Sequence, residues 1–199
     1  MLAACLIVAA AYLIGSVSFA VVVSKAFGLP DPHEYGSGNP GATNVLRSGN
    51  KAAAFLTLVG DGIKGFIVVV ATRALAPFVG APDWIVPVAA VAVFVGHLYP
   101  IYHRFSGGKG VATAAGIVFA LNWPLALALT VIWLTIAFGF KISSLAALIT
   151  ATLLPLGTFY LFGNAPVSWA MLTIAALIFW RHRTNIRQLF AGKERMIGR

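Results

Sequence analysis

Long apolar runs dominate the pattern of hydrophobic and polar positions along the chain. Six runs with few charges are separated by short polar or Gly-rich segments: residues 2–24, 52–72, 84–103, 111–140, 145–162 and 165–180. A hydrocarbon core of about 30 Å needs about 20 apolar residues in a helix. The pattern therefore predicts an all-α, polytopic integral membrane protein with a single membrane-embedded domain over residues 1–199.

The run at 111–140 is too long for one crossing, because a helix of that length would measure about 45 Å. The sequence Asn122-Trp123-Pro124 predicts a break, since proline lacks an N–H and disfavours helix in the residue before it. With that break, the chain has about seven transmembrane helices. We interpret the first run as a retained helix, and a cleaved signal peptide is the alternative.

Charge gives the expected orientation, because Lys and Arg collect in short cytoplasmic loops. With seven crossings, an outside N-terminus and a cytoplasmic C-terminus, only Arg73 lies outside. The cytoplasmic side then holds Lys25, Arg47, Lys51, Arg104, Lys109, Lys141, Arg181, Arg183, Arg187, Lys193, Arg195 and Arg199. These flanking residues account for much of the net charge of +9, so the expected partner is the lipid bilayer and not nucleic acid.

The stretch GSGNPGATNVLR, residues 36–47, is unusually polar for this chain. Its glycines predict backbone conformations closed to other residues, and successive N–H groups in such a turn form an anion-binding nest. Neutral donors and an arginine fork suited to phosphate accompany them. A flexible turn between helices is the alternative. The residues concerned are Gly36, Ser37, Gly38, Asn39, Gly41, Thr43, Asn44 and Arg47.

A second Gly-rich stretch, SGGKGVAT at 106–113, stands where a helix is predicted to begin. Free N–H groups and the positive end of the helix dipole favour an anion there, and Lys109 adds a full charge. It is not a Walker motif, since Gly110 follows the lysine. A positively charged cytoplasmic loop is the alternative. The candidate ligands are Gly107, Gly108, Lys109, Gly110 and Thr113.

Other polar residues sit within or beside the apolar runs. Asp61 and Lys64 share a helix face and are expected to pair or to face a polar cavity. His97 and His103 are interpreted as interfacial donors, whereas His182 and Asn185 share a face where the last helix meets the tail. No metal-ligand spacing occurs, and Cys5 is the only cysteine, so neither a metal nor a cofactor is expected.

Two separate clusters suited to phosphate suggest a ligand with two phosphates, or two phosphorylated ligands. Membrane location adds an acyl chain as a third clue. An acyl phosphate already carries a good leaving group, so its transfer would need mainly positioning and charge stabilisation. A catalytic triad would not be required.

The motifs GSGNPGATNVLR, DGIKG, GHLYP, GGKGVAT and RHRTNI, in this order, closely resemble those of the bacterial acyl-phosphate-dependent glycerol-3-phosphate acyltransferases. The similarity runs from about residue 12 to residue 195. This resemblance implies a seven-helix inner-membrane enzyme with a cytoplasmic active site. Such an enzyme moves a fatty acyl group from acyl phosphate to the 1-hydroxyl of glycerol-3-phosphate, giving lysophosphatidic acid and phosphate in phospholipid synthesis. Transient contact with the soluble enzyme that makes acyl phosphate is also expected.

The resemblance also implies the site residues. The expected catalytic residues are Ser37, Arg47, Lys109, His182 and Asn185. The expected substrate-binding residues are Gly38, Asn39, Gly41, Thr43, Asn44, Gly107, Gly108, Gly110, Thr113 and Ser144. Two positions depart from the family pattern: Ser106 stands where lysine is common, and Gln188 stands where arginine is usual.

Two other functions remain open at this point. A transporter for a phosphorylated metabolite would also cradle phosphate, although the polar clusters all fall on the predicted cytoplasmic side. An acyl-CoA-dependent acyltransferase is the second alternative. The family lacks the H-x-x-x-x-D motif of those enzymes, and five positions after His97, His103 and His182 stand Tyr102, Gly108 and Arg187.

Overall fold

The computed structural model describes residues 1–197, and every regular element in that range is helical. Arg199, which the charge pattern includes, lies outside the described residues. The helices are α1 (Leu2–Gly15), α2 (Phe19–Ala26), α3 (Ala42–Leu46), α4 (Lys51–Leu75), α5 (Ile85–Leu98), α6 (Val111–Leu121), α7 (Trp123–Phe140), α8 (Ser143–Phe162), α9 (Pro166–Arg181) and α10 (Arg183–Phe190). Short 3-10 turns cover Ala76–Val79 and Ile101–His103.

Four helical segments of the described chain are long and apolar enough to cross a membrane: Lys51–Val79, Ile85–His103, Trp123–Phe140 and Ser143–Phe162. A fifth crossing results if α1 and α2 form one bent span. Helices α6 and α9 are apolar but shorter, with 11 and 16 residues. The all-helical class is therefore confirmed, and the count of seven crossings stays a prediction.

The predicted break in the run at 111–140 is confirmed, because α6 ends at Leu121 and α7 begins at Trp123. Asn122 caps α7: its side-chain Oδ1 accepts the backbone N–H of Leu125 at 2.9 Å. Such caps satisfy one of the N–H groups that a helix start leaves without a partner. Pro124 then occupies the first turn of α7, where its missing N–H costs nothing.

The prediction of one helix over 2–24 is wrong, because the run breaks after Gly15 and the two halves are bent by 42°. Ser16 donates its hydroxyl to the carbonyl of Tyr12 at 2.9 Å, which turns the side chain back onto α1. The carbonyl of Val17, freed from helical bonding by the bend, accepts a hydrogen bond from Lys64 Nζ at 2.8 Å. A polar partner on another helix therefore stabilises the break, and the apolar pattern does not encode it.

The chain divides into two compact units, and the first comprises Met1–Leu121. In this unit α4 packs on α6, and α1 packs on α5. Both contacts depend on glycine, because a methyl group at Gly116 would overlap the carbonyl of Gly62, and one at Gly15 would overlap the backbone of Val93. Small residues at such crossings let helix backbones approach closely in membranes.

The second unit comprises Asn122–Arg199 and contains α8 packed between α7 and α9. Its buried side chains are mostly aliphatic, among them Ala146, Leu154, Met171 and Ile174. Ser168 ties the α8–α9 turn by donating its hydroxyl to the carbonyl of Gly163 at 2.8 Å. The short α10 follows α9 directly and carries an exposed Phe190 beside basic residues.

Candidate functional site

The first Gly-rich loop of unit 1 is organised around Asn44, whose side chain is buried. Its amide nitrogen donates to the carbonyls of Pro32 at 2.8 Å and Tyr35 at 3.1 Å. Its amide oxygen accepts the backbone N–H of Ser37 at 2.9 Å and Nη1 of Arg47 at 3.2 Å. Asn44 therefore shapes the loop and orients Arg47, because both of its donor hydrogens are used within the loop.

The glycines of this loop have different roles. Gly36 and Gly38 adopt positive φ angles of +62° and +67°, as predicted, and a methyl group at Gly36 would overlap the amide oxygen of Asn44. Gly41 has an extended φ of −172°, which any residue adopts, so the prediction of a glycine-only conformation there is wrong. It precedes α3, and open space surrounds the position of its absent side chain.

The remaining candidate residues of the first loop lie nearer the surface. Ser37 is exposed and its hydroxyl donates to Asn44 at 3.2 Å, while the Asn39 amide donates to the Ser37 carbonyl at 3.3 Å. Thr43 and Arg47 are half-buried. The exposed hydroxyl and the half-buried guanidinium are therefore the groups of this loop best placed to meet a soluble phosphate.

The second Gly-rich loop packs closely against the end of α5. A side chain at Gly107 would overlap the carbonyl of His97, one at Gly108 would overlap the His97 ring, and one at Gly110 would overlap the Phe94 ring. Gly110 also has a φ of +84°. The absence of side chains at these glycines lets the loop backbone pack closely against α5. Lys109, which lies between Gly108 and Gly110, is half-buried.

The two loops adjoin within unit 1. His33 Nε2 lies 2.9 Å from the carbonyl oxygen of Ser106, and a side chain at Gly108 would overlap the carbonyl of Pro40. His33 Nδ1 lies 2.7 Å from Asp31 Oδ1, so both ring nitrogens of His33 face acceptors. This arrangement brings the Arg47 loop and the Lys109 loop to one end of the unit, as a shared phosphate site requires.

Thr113, two residues into α6, is fully buried, and its hydroxyl has no hydrogen-bond partner among the described residues. Buried polar groups in native proteins are nearly always paired, so such a hydroxyl calls for an explanation. It follows Lys109 by four positions, at the helix start where free N–H groups favour an anion. That this segment binds a polar ligand stays a prediction.

The predicted pair of Asp61 and Lys64 is confirmed, with Lys64 Nζ 2.9 Å from Asp61 Oδ1 and both side chains buried. His97 joins them, because its Nδ1 lies 2.8 Å from Lys64 Nζ. The interpretation of His97 as an interfacial donor is therefore wrong, since its side chain is buried between the charged pair and the second Gly-rich loop. His103 is half-buried, with its ring centroid 5.8 Å from that of His33.

The second unit holds its own polar group at its C-terminal end. Glu194 Oε1 accepts the hydroxyl of Ser144 and the side-chain amide of Asn185, each at 2.6 Å. Ser144 lies in the first turn of α8 and Asn185 lies in α10, so the carboxylate joins two helices of this unit. Such short bonds are typical of a charged acceptor.

His182 lies at the junction of α9 and α10 and is buried. Its Nδ1 is 2.8 Å from the carbonyl oxygen of Ile178, and since a carbonyl only accepts, Nδ1 carries the donated proton. In the neutral ring Nε2 is therefore the basic nitrogen. His182 lies where α9 meets α10, as predicted, and Asn185 lies in α10, so the two residues belong to consecutive elements and not to one helix.

Sequence reasoning missed His33, Glu194 and the position of His97. His33 stands four residues before Ser37, in the short polar segment that leads into the first Gly-rich loop. That position was the sequence signal that could have indicated a role for His33. Glu194 is the one acidic residue of the basic tail, and an isolated carboxylate among cations is a signal for a specific contact. Among the described residues there is no group of three or more His, Cys, Asp or Glu arranged to hold a metal ion.

These features define a helical protein with membrane-spanning segments and two adjoining Gly-rich loops that present Arg47 and Lys109. A family model described as glycerol-3-phosphate acyltransferase matches residues 5–192. The chain therefore belongs to the glycerol-3-phosphate acyltransferase family.

Individual relatives agree with this family. The chain is similar to a glycerol-3-phosphate acyltransferase of Burkholderia ambifaria, with 59% identity over 94% of this chain and 88% of the relative. A Ralstonia nicotianae protein of the same name is 58% identical over 95% of this chain and 91% of the relative.

Two crystal structures of PlsY (YgiH), an integral membrane glycerol 3-phosphate acyltransferase, have a similar fold. Its glycerol 3-phosphate form has a TM-score of 0.90 and 37% identity, covering 98% of this chain and 96% of that chain. Its lysophosphatidic acid form has a TM-score of 0.88 at the same identity and coverage. The similarity thus extends over nearly the whole of both chains.

Proposed function

We propose that this protein transfers a fatty acyl group from acyl phosphate to the 1-hydroxyl of glycerol-3-phosphate, giving lysophosphatidic acid and inorganic phosphate for phospholipid synthesis. Family membership and the PlsY forms, which are named for glycerol 3-phosphate and for lysophosphatidic acid, support the acceptor and the product. We infer the acyl phosphate donor from the chemistry of the site. No cofactor is required, because acyl phosphate is already activated.

One observation carries this proposal: the two Gly-rich loops adjoin, through His33 and Ser106 and through the packing of Gly108 on Pro40. Arg47 of the first loop and Lys109 of the second therefore lie at the same end of the unit. Two cations beside Gly-rich backbone suit phosphate groups, which need fixed donors and positive charge. The orphaned hydroxyl of Thr113 supplies a further donor at this end of α6.

In this mechanism Lys109 neutralises the phosphate of the acyl phosphate, and backbone N–H groups at the start of α6 donate hydrogen bonds to it. In the neighbouring loop, Ser37, Asn39 and Thr43 supply polar side chains, and Gly38 and Gly41 let the ligand approach the backbone. The 1-hydroxyl of glycerol-3-phosphate attacks the acyl carbon, an ester bond forms, and the carbon–oxygen bond to phosphate breaks. Inorganic phosphate leaves with the bonding electron pair. Fixed charges near the leaving group lower the barrier without a covalent intermediate.

We assign glycerol-3-phosphate binding to Arg47. The family resemblance gives His182 and Asn185 roles in the same reaction, and within the second unit Glu194 holds both Ser144 and Asn185 in place. The hydroxyl proton has two candidate acceptors: Nε2 of His182, the basic nitrogen of that ring, and a phosphate oxygen of the substrate. A His182→Gln variant with retained turnover at saturating substrate would identify the phosphate as the acceptor. Loss of turnover would identify the ring.

The proposal includes a location. We infer seven crossings in the bacterial inner membrane, with the N-terminus outside and the Gly-rich loops and the C-terminus in the cytoplasm. The distribution of Lys and Arg supports this orientation. Acyl phosphate and glycerol-3-phosphate would then arrive from the cytoplasm, the former through transient contact with the soluble enzyme that makes it.

The deciding assay supplies purified protein with radiolabelled glycerol-3-phosphate and a choice of donor. Label in the lipid fraction with acyl phosphate, and not with acyl-CoA, supports the proposal. Label with acyl-CoA alone would assign the other donor. Label accumulated unchanged inside proteoliposomes would instead identify a transporter.

Lys109→Ala tests the phosphate assignment of the second loop. We expect turnover to fall by about 100-fold or more, because a cation that stabilises developing charge contributes about 3 to 4 kcal/mol to such barriers. The measurement is kcat in detergent, on protein whose unfolding midpoint matches wild type. Near wild-type turnover would remove Lys109 from the site.

A further inference from the structure

Three polar side chains buried among the apolar helices of unit 1 have no part in the proposed chemistry. Asp61 and Lys64 are 3% exposed and His97 is 7% exposed. A charged side chain at the centre of a membrane is energetically costly, so charges kept there usually serve a function. Their mutual contacts reduce this cost and indicate what the function is.

Lys64 is the centre of the group. Its Nζ lies 2.9 Å from Asp61 Oδ1, 2.8 Å from the carbonyl of Val17 and 2.8 Å from His97 Nδ1. An ammonium group has three hydrogens and no lone pair, so it donates to the Val17 carbonyl and to His97 Nδ1, and it forms an ion pair with Asp61. Nδ1 of His97 is therefore an acceptor, and the proton of the neutral ring resides on Nε2. His97 Nδ1 is 3.5 Å from Asp61, too far for a competing strong bond.

The other edge of the His97 ring faces the second Gly-rich loop. A side chain at Gly108 would overlap Nε2 and the neighbouring ring carbon, so the ring occupies the space that glycine leaves open. The same residue also holds the loop through its backbone, because its carbonyl accepts the N–H of Gly108 at 3.2 Å. His97 thus touches Lys64 on one edge and the segment that carries Lys109 on the other.

We propose that Asp61, Lys64 and His97 form a positioning device for the second Gly-rich loop. Lys64 selects the tautomer of His97 that presents Nε2–H to the loop, and Asp61 neutralises Lys64 in the apolar surroundings. The ring then fixes the peptide at Gly108 and so sets the direction of Lys109. These are positioning residues, since they act through the loop and not on the substrate.

This positioning role explains why charged residues occupy a buried region of unit 1, where apolar residues would pack at a lower cost in free energy. The two tautomers of a neutral imidazole are close in energy, so without Lys64 the ring would populate both and present either a donor or an acceptor to the loop. A displacement of about 1 Å in a substrate-positioning group can cost about 100-fold in rate. Lys64 also holds the bend between α1 and α2 through Val17, so the device joins three segments of the unit.

Two substitutions of His97 separate the two edges of the ring. His97→Gln keeps an amide N–H near the position of Nε2, and His97→Asn keeps an acceptor near the position of Nδ1. We expect His97→Gln to retain kcat within about 3-fold, and His97→Asn to lose about 10- to 100-fold. The reverse order, or equal activity of both variants, would overturn the proposal.

The charged pair is tested by removing both charges together. Asp61→Asn with Lys64→Met leaves no unpaired charge, although the Val17 carbonyl loses its donor, so kcat is measured well below the unfolding midpoint of the variant and should be reduced at least about 10-fold. Adding His97→Gln should recover most of the loss, because the amide needs no tautomer selection. Wild-type kcat in the double variant, or no recovery in the triple variant, would overturn the inference.

A matched control and a parallel measurement complete the design. Thr57→Val removes a buried hydroxyl of α4 that donates to the Ala53 carbonyl at 2.8 Å, outside the device, and should leave kcat unchanged. The inference rests on the proposed function, so Lys109→Ala is assayed beside it. If Lys109→Ala retains activity, the phosphate assignment fails; if it is inactive while His97→Asn is normal, only the positioning device fails.

Discussion

A single buried side chain, that of Asn44, fixes the conformation of the first Gly-rich loop through hydrogen bonds within that loop. Asn44 was predicted as a ligand donor, yet its amide hydrogens are taken by the carbonyls of Pro32 and Tyr35. The residue type determines which donors and acceptors a side chain has. Only the folded structure determines which groups they bond to. The exposed Ser37 hydroxyl and half-buried Arg47 remain as the groups that the Asn44 framework presents.

Glu194 has the same kind of role in the second unit. Replacing it with alanine would release the hydroxyl of Ser144 and the amide of Asn185, whereas glutamine keeps one oxygen able to accept both. Hydrogen bonds to a charged acceptor contribute about 1.5 to 3 kcal/mol, against about 1 kcal/mol for neutral ones. We expect Glu194→Ala to lose about 100-fold in kcat/KM for glycerol-3-phosphate and Glu194→Gln about 10-fold. Equal values for the two variants would contradict this account.

Asp31 makes stability depend on pH. The backbone N–H of His33 at 2.9 Å, and secondarily its ring, hold the pKa of the Asp31 carboxyl below its usual range. A depressed folded-state pKa stabilises the protein above the unfolded value of about 3.9, and this contribution is lost as pH falls through the folded value.

The corresponding test compares wild type with Asp31→Asn by thermal unfolding between about pH 7 and pH 3. Wild type should have the higher midpoint near neutrality, with the difference closing below about pH 4. The effect should stay under about 1 kcal/mol because solvent screens this half-exposed carboxylate. A difference that is constant over the whole range would show that charge is not its source.

At the scale of elements, the helix pair α4 and α6 depends on where glycines stand. A methyl group at Gly65 would overlap the carbonyl of Thr113 and come within 3.2 Å of Ile117, whereas one at Gly62 would meet the carbonyl of Ala112 at an ordinary 3.6 Å. These two positions lie on the same helix, so they form a matched pair.

We expect Gly65→Ala to destabilise the protein by about 1 to 3 kcal/mol, since the backbones must move apart. Gly62→Ala should be neutral or stabilising by up to about 1 kcal/mol, because alanine favours the helix. Thermal unfolding of both variants in one detergent gives the comparison. Similar midpoints would mean that the two helices are not held together at this contact.

Helix boundaries were partly readable from the sequence. The break at Asn122 followed from proline chemistry, which is local, and the structure has it. The break after Gly15 was missed, because no proline or charge marks it and its stabilising contact comes from Lys64, more than 40 residues away. Local sequence rules therefore predicted the break at Asn122. The break after Gly15 is accompanied by a hydrogen bond from a residue distant in sequence, which local rules do not predict.

At the scale of the whole molecule, orientation in the membrane is the testable prediction. In a Cys5→Ser background, single cysteines at Ser37 and Ser106 should react with a membrane-impermeant thiol reagent only after the cells are opened. Cysteines at Asp83 and Asn164 should react in intact cells, since both positions are exposed and fall outside in a seven-crossing topology. Labelling of positions 37 and 106 from opposite sides would end the proposal of a shared phosphate site.

The sequence by itself determined the all-helical membrane class, the break before α7, the Gly-rich loops and the membership of the family. These follow from composition, from local backbone chemistry and from the order of motifs, all of which are properties of neighbouring residues. Only the tertiary structure decided that His33 reaches Ser106, that Asn44 is used up in its own loop, and that His97 lies between Lys64 and Gly108. Those contacts join residues that helix packing brings together, and no local pattern specifies which distant donor will meet which acceptor.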